Sequence, residues 1–238
     1  MNSRTMIRAA LVVALLCAAA AGCKKEAAEK AAVPPAATGG NDLATRLNAM
    51  DPQAQIDTMR TLVKMDSTDA QMHFYAGNAY YSFASGLEAS APNRSAYLDS
   101  AATCYHRAVA IDSTMSKAWV NLGLAYEDDN KPADAQKALE TAIAVNPKDV
   151  LAYCHLGYLY HANGNLSKAM DEYKQALAID PNSAQAHYNL GLAFAESKIF
   201  GEAVREWELV IKADPNSDLG KTASENVKII KQYSTNQK

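Results

Sequence analysis

The chain repeats itself every 34 residues, and that period leaves few folds open to it. Trp119, Leu122, Gly123 and Tyr126 return as Tyr153, Leu156, Gly157 and Tyr160, and again as His187, Leu190, Gly191 and Phe194. Further along each unit come Ala135, Ala169 and Ala203, then Leu139, Tyr173 and Trp207, and finally Pro147, Pro181 and Pro215. The first set is spaced i, i+3, i+4, i+7 and the second, completed by Ala142, Ala176 and Val210, i, i+4, i+7, each one stripe of a 3.6-residue helix. Each unit therefore reads as two amphipathic helices, ended by a proline that cannot continue the second. One helix pair cannot bury both stripes, whereas stacked pairs can. Glycine inside a helix costs roughly 1 kcal/mol against alanine. Its recurrence at Gly77, Gly123, Gly157 and Gly191 means that close backbone approach outweighs propensity.

These residues resemble the tetratricopeptide repeat, whose pattern is W-x2-L-G-x2-Y followed by A, F, A and P, over residues 116–217. The resemblance implies an all-α fold: a right-handed superhelical solenoid of antiparallel helix pairs, with repeats at 116–149, 150–183 and 184–217. Upstream, Ala76-Gly77, Tyr80, Ala101 and Tyr105 fill the slots of a further repeat at 70–115. Its interval from Gly77 to Ala101 is 24 residues where Gly123 to Ala135 is 12, so it carries an insertion. Gly86, Pro92 and Asn93 predict a loop near 82–96, serving either as a partner-binding surface or as a tolerated excursion. Residues 41–69 read as an irregular helical pair with one helix near 53–65. Residues 218–238 set Leu219, Val227, Ile229 and Ile230 on one face and polar groups on the other, as a capping helix and tail.

Ahead of the array, Arg4 and Arg8 precede an uncharged stretch from Ala9 to Ala21 that ends in Gly22-Cys23. A basic start, a short apolar run and small residues describe a secretory signal, too short for the membrane span that is the weaker reading. The end of the run resembles the bacterial lipobox, with Ala20 where the pattern prefers Leu. That resemblance implies a signal at 1–22, lipid attachment at Cys23 and a flexible linker to residue 40 rich in Ala, Pro and Gly. An ordinary signal cut after Ala20 or Ala21 is the alternative. Lys24 in place of Asp favours, by resemblance to enterobacterial sorting, the outer membrane facing the periplasm.

Lys and Arg number 23 against 26 Asp and Glu, a net charge of −3 that offers no footprint for nucleic acid. No phosphate-binding glycine loop, H-E-x-x-H or C-x-x-C occurs, so no cofactor, metal or catalytic residue is expected. Cys154 and His161 share a helix face, yet seven residues separate them by about 10.5 Å along the axis. Cys104 and Cys154 fall on different repeats and read as free thiols.

In the family, the concave surface is lined by fixed places on the first helices. The resemblance assigns these to Phe74, Asn78 and Tyr81, to Val120 and Leu124, to Leu151, Cys154, Tyr158 and His161, and to Tyr188 and Leu192. Lys117 is the single cation among such positions, which argues against a clamp for an acidic C-terminus. An apolar groove of this kind suits a protein or peptide partner, unless the N-terminal segment or the capping helix fills it. The expected function is a membrane-anchored adaptor or scaffold of the bacterial envelope. Alternatives are a self-assembling solenoid, paired through the insertion or its ends, and an assembly or pilotin-type factor for an outer-membrane machine.

Overall fold

The computed structural model describes residues 46–47, 49–65 and 68–235, with side chains to 233. The expected signal, Cys23 and the linker to residue 40 lie outside the described residues. Among these residues there are ten helices and no strand. They fall into two compact units that divide between Pro147 and Lys148. The first holds α1 (Pro52–Met65), α2 (Ala70–Ser85), α3 (Arg94–Ile111), α4 (Ser116–Asp128) and α5 (Pro132–Val145). The second holds α6 (Val150–Ala162), α7 (Leu166–Ile179), α8 (Ala184–Glu196), α9 (Phe200–Ala213) and α10 (Asp218–Thr235). Of the irregular partner expected before α1, Arg46 and Leu47 are helical and Leu47 is buried against Ile56 and Met59.

Three of the first helices, α2, α6 and α8, start on a short polar cap, whereas α4 starts after Met115 without one. The Asp69 carboxylate accepts from the Gln71 and Met72 amides, Asp149 from Ala152, and the Ser183 hydroxyl from Ala186. The ends of the first helices repeat as closely. Lys131, Asn165 and Ile199 donate their amides to the carbonyls of Tyr126, Tyr160 and Phe194, each at 2.8 Å. This closure puts the preceding residue in the left-handed region, and those residues are Asn130 (φ 57), Gly164 (φ 75) and Lys198 (φ 63). Asn and Gly suit the position; Lys does not. Lys198→Gly is therefore expected to stabilise the second unit by about 0.5–1 kcal/mol, read as a rise in urea midpoint at constant slope.

The recurring glycines are explained by what lies over them. A Cβ at Gly77 would stand 2.5 Å from the Tyr105 ring, at Gly123 2.7 Å from Leu139, at Gly157 2.6 Å from Tyr173, and at Gly191 2.5 Å from the Trp207 indole. The large residue of each second helix thus fills the space that glycine leaves on the first. Ala135, Ala169 and Ala203 are fully buried beside them.

Two features differ from the sequence expectation or sharpen it. The insertion is mostly helix: α2 runs 16 residues and α3 18, against 13 and 14 for α4 and α5, so the loop shrinks to 86–93. The breakers Gly86, Pro92 and Asn93 all lie inside that span, and nothing in Ser82–Ser85 or in Arg94–Ala96 interrupts a helix. The terminal helix α10 keeps the 34-residue register of a first helix. Gly220 and Ala223 take the slots of Ala186 and Asn189, and Ala223, Val227 and Ile230 pack into one core with Trp207. The slots that elsewhere carry the aromatic, Leu, Gly and aromatic residues hold Lys221, Ser224, Glu225 and Lys228, and the three charged ones are exposed. The cap is thus a first helix whose signature face has been rewritten for water.

Candidate partner-binding surface

The positions assigned to an open groove are for the most part interior. Phe74, Asn78, Tyr81, Val120 and Leu124 in the first unit are buried, as are Cys154, His161, Tyr188 and Leu192 in the second. Leu151 and Tyr158 alone among them are half-buried. The expectation of eleven exposed lining residues is corrected accordingly, and the reasons are local.

In the first unit the groove positions are spent on internal bonds. The Asn78 side-chain carbonyl accepts from the Tyr105 hydroxyl at 2.9 Å and from the Asn121 amide at 2.9 Å. The Asn78 amide itself is buried and finds no acceptor among the described residues. Tyr81 donates its hydroxyl to the Asp128 carboxylate at 3.0 Å, and Phe74 sets its ring 6.1 Å from that of Tyr105. Burial holds the Tyr81 and Tyr105 phenols well above the usual range, so both stay protonated donors. Asn121 is thus an internal partner of the adjacent repeat, a role its position in the sequence did not reveal.

In the second unit the cap does the covering. Tyr188 and Leu192 belong to the core that holds Ala223, Val227 and Ile230 of α10, and the Asn226 amide reaches the Tyr188 hydroxyl at 3.4 Å. Of the two states left open by the sequence, the filled one holds at these residues. His161 does not serve Cys154; its Nε2 lies 3.0 Å from the Glu196 carboxylate on α8. Asn189 likewise turns inward and accepts from Gln185 at 3.0 Å. His187 occupies the slot of Trp119, and the two rings do the same work: Trp119 Nε1 donates to the Ser113 carbonyl at 3.1 Å, and His187 Nε2 lies 3.0 Å from the Pro181 carbonyl. His187 adds a 2.6 Å contact from Nδ1 to Glu206.

Neither Cys104 nor Cys154 is in a disulfide; Cys154 is buried, Cys104 partly so, and burial pushes the Cys104 thiol up to about 11. Cys104 is therefore no thiolate at neutral pH. Among the described residues no group of His, Cys, Asp and Glu is placed to hold a metal ion, and no helix is long and apolar enough to cross a membrane.

Of the groove positions, the two that keep partial exposure, Leu151 and Tyr158, lie on α6. Its sequence, VLAYCHLGYLYHA, has no Lys, Arg, Asp or Glu, and its partly exposed positions are Val150, Leu151, Tyr153, Tyr158 and Tyr160. A helix apolar on every side is ordinarily enclosed on every side. Tetratricopeptide repeat families match residues 116–149, 138–171 and 157–198. Residues 116–198 thus carry tetratricopeptide repeats. The chain matches a solved structure of MamA at 24% identity, with a TM-score of 0.61 over 73% of its length and 95% of that chain. It matches YrrB, described as a TPR protein with an unusual peptide-binding site, at 20% identity and a TM-score of 0.55, over 73% of this chain and 84% of that one. A thermophilic TPR protein of Thermus thermophilus matches at 16% identity and a TM-score of 0.59, over 74% of this chain and 90% of that one. No curated protein sequence matches. The repeats and the fold are those that these matched structures share.

Proposed function

We propose that this tetratricopeptide protein is an adaptor of the bacterial cell envelope, tethered to a membrane through lipid on Cys23 and holding a segment of a partner protein against α6. The reading rests on one observation: α6 carries no charged residue other than histidine, yet Leu151 and Tyr158 remain half-exposed on its groove positions. Aromatic and aliphatic groups at i and i+7 suit an apolar stretch of peptide or one face of a helix. That YrrB has a peptide-binding site on a similar scaffold agrees with this use of the fold. The tether is supported by the basic start, the 13-residue apolar run and Gly22-Cys23, with the linker to residue 40 as spacer. The outer membrane, on its periplasmic side, is the proposed location.

A photo-crosslinking residue placed at Tyr158 of the full chain, and separately at the exposed Gln175 of α7, tests the surface. Adducts from position 158 that are absent from position 175 are expected; equal labelling from both would remove the α6 assignment. An adduct of twice the chain's own mass would favour self-assembly instead. Fractionation tests the tether: the unaltered chain is expected in the membrane pellet and Cys23→Ala in the soluble periplasmic fraction. Identical partition of the two would dispose of the lipid anchor.

A further inference from the structure

We propose that the inserted segment between α2 and α3 is a strap that fastens its own repeat to the α4–α5 turn of the next, and not a docking loop. The insertion adds a helical turn to the start of α3, and that turn makes the contacts. Arg94 donates one guanidinium N–H to the Asp128 carbonyl at 2.9 Å and holds another nitrogen 3.3 Å from the Asp128 carboxylate. The two side chains are 12% and 6% exposed, so this is an interior ion pair. One residue on, the Ser95 hydroxyl donates to the Asp129 carboxylate at 2.6 Å. One turn further, Asp99 receives the Lys131 ammonium at 2.6 Å, and the same ammonium lies 2.6 Å from Asp129. Every contact joins α3 to residues 128–131, where α4 turns into α5.

The second unit shows what a repeat looks like without the strap. There α7 and α9 have 14 residues each and follow their first helices after turns of three residues. Its seam between α8 and α10 is mostly apolar, with Leu192, Ala223 and Val227 in one core beside the contact of Asn226 with the Tyr188 hydroxyl. The corresponding seam in the first unit pairs Asn78 with Asn121, and the Asn78 amide finds no acceptor among the described residues. A polar seam with an unmet donor gives less to hold two repeats together than an apolar one. The strap supplies the missing constraint by geometry: the guanidinium fork reaches a carbonyl and a carboxylate at once, which a lysine ammonium does not match. Tyr81 enters the same arrangement, since its hydroxyl and Arg94 share the Asp128 carboxylate. Partial burial disfavours the charged form of Asp129, but hydrogen bonds from Lys131 and Ser95 outweigh it and hold that carboxyl below its usual range. Asp129 therefore stays charged at neutral pH.

Amide hydrogen exchange on the full chain tests the strap. Arg94→Ala leaves Asp128 buried without its cation, so the amides of Asp129, Asn130 and Lys131 are expected to exchange at least about tenfold faster, while those of α8 to α10 change less than about twofold. Ser95→Ala, a milder loss at an exposed residue, is expected to speed the same three amides to a smaller degree, and it serves if Arg94→Ala does not fold. Glu88→Ala, at the tip of the loop, is expected to leave all of them unchanged. Turn amides that stay within about twofold of the unaltered chain in both strap variants would overturn the proposal. So would an acceleration spread evenly over both units.

Discussion

Trp207→Ala is expected to destabilise the unit formed by residues 148–238 by about 3–5 kcal/mol, the range for deleting a buried indole. The side chain is fully buried among Tyr188, Leu192, Ala203, Val210, Ala223, Val227 and Ile230, so truncation opens a cavity that three helices line. Collapse into that cavity is opposed by α10, which is held on both sides of it by Ala223 and Ile230. The indole N–H also donates to the Tyr188 carbonyl at 3.1 Å, and the substitution leaves that buried acceptor with one bond fewer. Urea denaturation followed by far-ultraviolet circular dichroism measures the loss. Trp119→Ala is the reference, because Trp119 holds the slot on a first helix and is only half-buried. A loss below about 1 kcal/mol for Trp207→Ala would contradict the packing described.

Gly157→Leu is the second large effect, with an expected cost of about 1–3 kcal/mol or more from overpacking. A Cβ alone would come within 2.6 and 2.8 Å of the Tyr173 ring, and Tyr173 is itself fully buried, so the ring has nowhere to retreat. Gly157→Ala should show the same sign at smaller size. The decisive measurement is a double-mutant cycle with Tyr173→Ala. Removal of the ring vacates the space a leucine needs, so the two changes should be non-additive by more than about 0.5 kcal/mol, in the favourable direction. Additive losses would mean that Gly157 and Tyr173 do not share that space.

The helix-pair architecture was legible because it rests on spacing. A period of 34, stripes at i, i+3, i+4 and i+7, and a proline after each second helix are one-dimensional facts with one economical three-dimensional solution. The boundaries of α4 to α9 follow from them directly. Even the glycines could be read as contact points, and the structure places Leu139, Tyr173 and Trp207 over them. The insertion was legible in length and not in form. Its breakers marked a loop, but whether the flanking Ser and Ala residues join that loop or lengthen α2 and α3 depends on partners such as Asp128 that lie far along the chain.

The surface was the least legible part. Phe74, Tyr188 and Leu192 have the composition of a groove and the position of a groove, and they are buried. An apolar side chain facing a partner and one facing the next helix of its own chain carry the same signal, since both exclude water from the same kind of surface. Asn78 illustrates the converse: a polar residue assigned to the groove proved to be the partner of Asn121 within the chain.

Sequence by itself thus determined that this protein is built of stacked helix pairs, and which glycines let them come close. Tertiary structure alone decided that α10 closes over Tyr188, that Arg94 reaches Asp128, and that Leu151 and Tyr158 keep partial exposure. The physical reason is range: periodicity and capping act within a few turns of one helix, whereas burial depends on which distant segment arrives to displace the water.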